Sequence, residues 1–334
     1  MSLRYLLRVS YDGSRYPEMA KGNTKIGVVD LLEKIISYSL SNDYSLRARC
    51  FPSSRTDAGV HAINNAIMVQ VPLENDLSCN KKDFLKKWNF LIDSINPNSM
   101  KVLDFNEVVH GFSNRHHVSY RIYTYRLAIA KNFEIYENFK NSPSIVCMSE
   151  MNYSWILPPG FDTGKAQEAC NMFKGCHNFA SYYKHPERQR RKEISGNKPF
   201  QNTERNILLA NVGIGKEKVF ENDLYDYVNI SIVSRSFIRE QIRRMLSIIV
   251  AYSYGRIKMS TIKYLFDNPK PSNFYDMKIH VAPPNGLFLT DVVYDPQMYL
   301  KPIPHYTTML DFYKWKNELN SWTYEDSDGE THFF

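Results

Sequence analysis

Ser119-Tyr120-Arg121-Ile122-Tyr123-Thr124-Tyr125-Arg126-Leu127-Ala128-Ile129-Ala130 is the stretch that decides the fold. On an extended chain, residues two apart share a face. Arg121, Tyr123, Tyr125, Leu127 and Ile129 therefore line one side of a strand. Outward from it, the same alternation marks Leu3 to Val9, Ile67 to Val71 with a stop at Pro72, Ile207 to Asn211, Val228 to Ile232, and Gly286 to Tyr294. Helical spacing joins Leu32, Ile35 and Ile36 in the segment from Asp30, and Phe84, Trp88, Leu91, Ile92 and Ile95 in the next. A short helix capped by Thr163 runs through Phe173 to a stop at Gly175. A longer one is expected from Phe237 to Tyr254, with Ile238, Ile242, Met245, Leu246 and Ile249 inward and Gly255 as its stop. No strand is the long apolar run of a parallel sheet buried on both faces, so the fold class expected is α+β with antiparallel sheets. Between Asn132 and Pro159 the periodicity fades into a connection rich in Asn, Ser and Pro. After Pro296 a helix is expected from Leu310 to Leu319, then a disordered acidic tail from Glu325 to Glu330.

Composition sets outer limits. The chain has 334 residues, 43% of them apolar and 23% charged, which suffices for one large domain or two packed subdomains. It holds no apolar run of about 18 residues, so no membrane span is expected. A net charge of +7 suits an acidic partner. Five cysteines without C-x-x-C spacing and nine histidines without H-E-x-x-H argue against a zinc site and a disulfide framework. A reduced intracellular setting follows as the expectation. Because strand alternation starts at Leu3, a signal peptide is not expected. Arg4 and Arg8 precede the first acid, Asp12, and keep a mitochondrial destination beside the cytoplasmic and nuclear ones.

Chemistry concentrates in Ser53-Ser54-Arg55-Thr56-Asp57-Ala58-Gly59-Val60-His61-Ala62, a loop between two expected strands. Small residues and Gly59 allow a sharp turn and close approach to a ligand. Asp57 would project from that turn between Arg55 and His61. On local chemistry alone, a turn whose Asp bonds its own backbone explains T-D-A-G equally well. A second feature is basic: Lys184, Arg188, Arg190, Arg191 and Lys192 put five cations within nine residues, a solvated loop or a grip on RNA phosphates.

The octet Arg55 to Ala62 resembles the signature of the TruA family of tRNA pseudouridine synthases, and further blocks follow in family order. Phe112, Arg115, Arg121, Tyr123, Tyr125, Arg126 and Leu127 are similar to its second block. Gly175, His177, Asn178, Phe179 and Ser181 resemble another, as do Phe237, Ile238 and Gln241 to Met245, and finally Ala282 to Leu289. The resemblance implies two ferredoxin-like subdomains with antiparallel sheets joined around a central cleft. We divide them into 1–130 and 131–295, followed by a C-terminal piece, 296–334. It implies cofactor-free, metal-free isomerisation of uridine in RNA, with tRNA as partner and no membrane. Asp57 is then the catalytic carboxylate, Arg243 its ion partner and Tyr123 the aromatic that stacks on the base; Arg115 and Leu287 would contact substrate, and Arg55 and His61 would either do the same or hold the loop as structural hydrogen bonders. Bacterial members act as dimers and others as monomers, so a homodimer is one of two expectations.

The chain also departs from the family. Tyr11-Asp12-Gly13-Ser14-Arg15-Tyr16 continues into Pro17-Glu18-Met19-Ala20-Lys21-Gly22 without the usual Gly-Trp-Gln, which looks more like the animal synthase-like branch. His116-His117 replace an apolar-small pair. Two rival readings remain: a catalytically inactive RNA-binding chaperone of the same fold, and an unrelated α+β protein with a coincidental turn. The last requires Asp57 and Arg243 to lie far apart.

Overall fold

In the computed structural model, which describes residues 2–19, 27–41, 45–73, 76–141, 145–184, 202–216, 223–304, 323–325 and 331–333, the alternating stretch is one long strand. In chain order the strands are β1 (Ser2–Tyr11), β2 (Arg49–Pro52), β3 (His61–Pro72), β4 (Met100–Glu107), β5 (Val118–Ala130), β6 (Trp155–Leu157), β7 (Gly175–Asn178), β8 (Glu204–Ile214), β9 (Tyr225–Ser234) and β10 (Leu287–Tyr294). The helices are α1 (Val28–Leu40), α2 (Lys81–Ile95), α3 (Phe133–Asn141), α4 (Ile145–Met151), α5 (Thr163–Phe173), α6 (Gln241–Ser253), α7 (Met259–Asp267), α8 (Asn273–Asp276) and α9 (Gln297–Leu300).

All ten strands join one sheet, ordered β4-β1-β3-β10-β5-β9-β8-β7, with β2 added to β3 and β6 to β5. Its pairings are antiparallel except β3 with β10 and β5 with β6. The α+β expectation therefore holds. The β3 and β10 seam is short, pairing Phe288 with His61 and Leu289 with Ala62. It joins strands from the first third of the chain to the last strand of the sheet, and the loop bearing Asp57 runs directly into it.

The core follows the alternation. Tyr125 and Leu127 of β5 are fully buried, as are Met245, Leu246, Ile248 and Ile249 of α6. Burying side chains of this size contributes about 1.5–3 kcal/mol each, so the α6 face holds the helix that carries Arg243 firmly against the sheet.

Three expectations need correction. The segment 132–159 is not a bare connection: it holds α3, α4 and β6. A buried ion pair, Arg126 to Glu150, ties α4 to β5, β6 pairs with β5, and Ile135, Tyr136 and Phe139 of α3 pack on a small apolar cluster with Ala128, Ala130 and Tyr227. The helix expected from Phe237 begins at Gln241, because Glu240 adopts φ 59°, a left-handed conformation that breaks the helical ladder. The Ile238 N–H donates instead to Gln241 Oε1 at 3.0 Å, and the Arg239 carbonyl accepts from the Lys184 N–H at 3.1 Å. Phe237 and Ile238 are thereby released to line a cleft. Glu325, expected in a disordered tail, lies in a two-stranded ribbon of β11 (Thr323–Glu325) and β12 (Thr331–Phe333). The helix expected over residues 310–319 lies outside the described residues. Among the described residues, no helix is long and apolar enough to cross a membrane.

Candidate active site

A cleft of about 840 Å³ opens where the 53–60 loop, β5, the 236–243 segment and the start of β10 converge. The loop is pinned at both ends. The Ser53 N–H donates to the Ala66 carbonyl at 2.9 Å, and buried Asn65 donates through Nδ2 to the Ser54 carbonyl at 3.2 Å. The Val60 N–H closes a turn on the Asp57 carbonyl at 3.1 Å. Gly59 has φ +78°, and a Cβ there would lie 2.9 Å from Pro284 Cγ, so both the turn and its packing on the 284 segment require glycine.

Asp57 leaves this turn with its side chain 34% exposed to the cleft. Arg243, 186 residues later and in the first turn of α6, brings Nη1 to 3.4 Å from Asp57 Oδ2. Arg243 Nε donates to the Ala282 carbonyl at 2.7 Å, which aims the guanidinium across the cleft floor. The coincidental-turn reading required these two residues to lie apart; they meet. One oxygen of Asp57 faces the arginine while the carboxylate as a whole stays open to a ligand.

Tyr123 forms the wall beside them. Buried on β5, it meets Phe237 edge-on, with ring centroids 5.3 Å apart. Burial pushes its phenol up to about 12; Arg121 and Ser54 pull it down and Asp57 pushes it up. At neutral pH it is a phenol, a hydrogen-bond donor rather than a ready base. Tyr11 backs the loop by sharing a hydrogen bond of 2.8 Å with Thr56 Oγ1, and burial raises its phenol well above the ordinary value.

The other expected site residues separate into two groups. Arg55, Arg115 and Leu287 line the same cleft as Asp57, Tyr123 and Arg243. Arg115 donates from Nε to the Pro52 carbonyl at 3.3 Å, and partial burial with the like charge of Arg55 lowers its proton affinity. His61 points elsewhere. It is buried beside a second cavity of about 360 Å³, stacked on Phe288 at 4.8 Å. Its Nδ1 lies 3.1 Å from both the Gly13 N–H and Asp12 Oδ1, and its Nε2 lies 2.8 Å from the Asn152 carbonyl. Burial opposes the charge on Asp12, but His61 and Ser14 outweigh it and hold the carboxyl well below the usual range. His61 thus fastens the seam rather than lining the cleft. Of the basic run, Lys184 pairs with Glu240 at 2.9 Å; Arg188, Arg190, Arg191 and Lys192 lie outside the described residues.

Several cleft residues were given no role in the site from sequence: Ser53, Ser54, Arg121, Phe237, Arg239 and Glu240. One signal was present. Arg121 stands two residues before Tyr123 on the core-facing side of its strand, where an arginine is out of character unless its charge is used.

A family described as tRNA pseudouridine synthase matches residues 169–295. The tRNA pseudouridine synthase-like 1 of Mus musculus is 28% identical over 300 residues, spanning 87% of this chain and 94% of the relative. That of Xenopus laevis is 29% identical, spanning 87% and 91%. The tRNA pseudouridine synthase A of Thermodesulfovibrio yellowstonii is 24% identical, spanning 86% and 98%. Similarity to the TruA family and to its animal synthase-like branch, first seen in short motifs, thus extends over most of the chain.

Proposed function

We propose that this chain isomerises uridine to pseudouridine in tRNA, with Asp57 as the catalytic carboxylate. The observation that carries the reading is the meeting of Asp57 and Arg243 in a cleft wide enough for a nucleotide, from positions 186 residues apart. In the reaction the bond from N1 to C1′ breaks, a bond from C5 to C1′ forms, C5 gives up its proton and N1 gains one. Atoms balance, and no oxidant or reductant is needed.

Each cleft residue has a part in that sequence. Asp57 reaches the sugar or the ring, with Arg243 Nη1 held 3.4 Å from one of its oxygens. Tyr123 flanks the target base and, as a phenol, holds or passes on a proton. Leu287 supplies an apolar wall at the mouth of β10. A uridine inside structured RNA must first leave its stack, which costs a few kcal/mol. Arg55, Arg115 and Arg239 at the rim meet no carboxylate among the described residues, and phosphate contacts there offset that cost. His61 acts by fixing the strand that follows the Asp57 turn. The division into 1–130 and 131–295 belongs to this reading, with β5 of the first part paired between β10 and β9 of the second.

Incubation with an unmodified tRNA transcript and measurement of pseudouridine tests this. The wild-type chain forms pseudouridine, and Asp57→Asn, which keeps size and removes charge, does not. If neither forms any while both bind RNA, the chaperone reading takes its place.

A further inference from the structure

We infer that Arg121 is a positioning residue that sets the Asp57 loop, the Arg243 helix and Tyr123 in register with one another. The inference rests on the pseudouridine synthase reading of the cleft, and concerns a side chain that touches none of the reacting atoms.

Arg121 is only 8% exposed, yet among the described residues none of its hydrogen-bond acceptors is a carboxylate. Its Nε donates to Ser54 Oγ at 2.6 Å. Its Nη2 donates to the Ser53 carbonyl at 3.1 Å and lies 3.2 Å from Ser53 Oγ. Its Nη1 donates to the Arg235 carbonyl. Every acceptor is neutral, and Arg115 and Arg235 add like charge nearby. Removing a cation from water costs several kcal/mol even after relaxation, and neutral acceptors repay it poorly. An apolar side chain of similar volume would serve the core better, so the reason for a guanidinium lies in what it holds.

It holds two segments that no strand pairing joins to each other. Ser53 and Ser54 stand just before Asp57 in its loop. Arg235 directly follows β9 and leads through the left-handed Glu240 into α6 and Arg243. Between them, Arg121 sits on β5 two residues from Tyr123, on the same face of the strand. The planar fork of an arginine fixes donors in several directions at once, which a lysine cannot do. Without it, each segment keeps its backbone pairings but loses the common anchor. A misplacement of about 1 Å at a reacting group can cost ~10²-fold in rate.

The test is steady-state pseudouridine formation by wild type, Arg121→Gln, Arg121→Lys and Ser54→Ala, with RNA affinity and urea unfolding measured on each. For Arg121→Gln the expectation is a fall in kcat of about 10²-fold with KM and RNA affinity within roughly threefold of wild type. Arg121→Lys keeps the charge and loses the fork, so it follows Gln rather than wild type. Ser54→Ala leaves the guanidinium in place and removes one acceptor, for a fall in kcat of about tenfold. A residue that merely supported the fold would lower activity in step with the folded fraction. Arg121→Gln with kcat within roughly threefold of wild type, or losses that track unfolding, overturns the inference. If Arg121→Gln does not fold, Ser54→Ala decides, and wild-type kcat there overturns it. A wild type without turnover overturns the parent reading and this one together; an active wild type with equally active variants overturns this one alone.

Discussion

Two arginine and carboxylate pairs sit on opposite sides of the same sheet, and they are built differently. Arg126 and Glu150 have side chains only 2% and 4% exposed, with contacts of 2.9 and 3.1 Å from Nη2 and 3.3 Å from Nε. Ser154 and the Lys216 carbonyl take further donors, Ser154 Oγ donates back to Glu150, and the guanidinium lies 4.1 Å from the Tyr227 ring centroid. Arg243 and Asp57 touch once, at 3.4 Å, with side chains 15% and 34% exposed. The first pair is saturated and dry, so it fastens α4 to β5 and can do nothing else. The second is oriented yet unsaturated, with the Asp57 carboxyl open to the cleft.

That contrast can be broken at either end. The largest effect is expected at the saturated pair: Glu150→Ala strands a buried guanidinium and should lower stability by about 3–5 kcal/mol, read from urea unfolding. Any loss of turnover there should vanish when corrected for folded protein. At the open pair, Arg243→Lys should unfold like wild type but lose about 10³-fold in kcat, since an ammonium cannot bond the Ala282 carbonyl and face Asp57 in the same geometry. Tyr123→Phe should lose less, about 10²-fold in kcat, if the phenol handles a proton.

Tyr123 also carries a signed pH dependence. Its folded value of about 12 stands above the 10.0 of a free phenol, so its share of stability is complete below the unfolded value and drains as pH rises through the folded one. Wild type should lose that share in alkaline unfolding titrations and Tyr123→Phe should not. The smallest effect belongs to the rim. Arg239→Gln should weaken tRNA binding across sequences and reduce the salt slope of log affinity by about 0.9, if it meets one duplex phosphate.

Much of this could be read from the chain because burial leaves a two-residue or 3.6-residue trace. The β5 stretch and the inward face of α6 were plain for that reason. Asp57, Tyr123 and Arg243 were legible through motif resemblance, since no periodicity connects residues 57 and 243. What escaped was local backbone geometry and side-chain aim. A left-handed Glu240 leaves no mark on hydrophobic spacing, so α6 was started four residues early at Phe237. His61 looked like a cleft residue because it follows Asp57 by four positions. Strand β3 begins at His61, however, and its side chain is taken up by Asp12, Gly13 and Asn152. The Arg126 and Glu150 pair that ties α4 to β5 was hidden, because a polar pair leaves no mark on hydrophobic periodicity.

Whether Asp57 is spared from structural duty so that it can react is tested by one paired measurement: pseudouridine formed in tRNA per folded enzyme, alongside the unfolding midpoint, for Asp57→Asn and wild type. An unchanged midpoint is expected, with turnover down by about 10⁴-fold, ~5.5 kcal/mol of barrier. Turnover near the wild-type level, or a loss explained by a lowered midpoint, would contradict it.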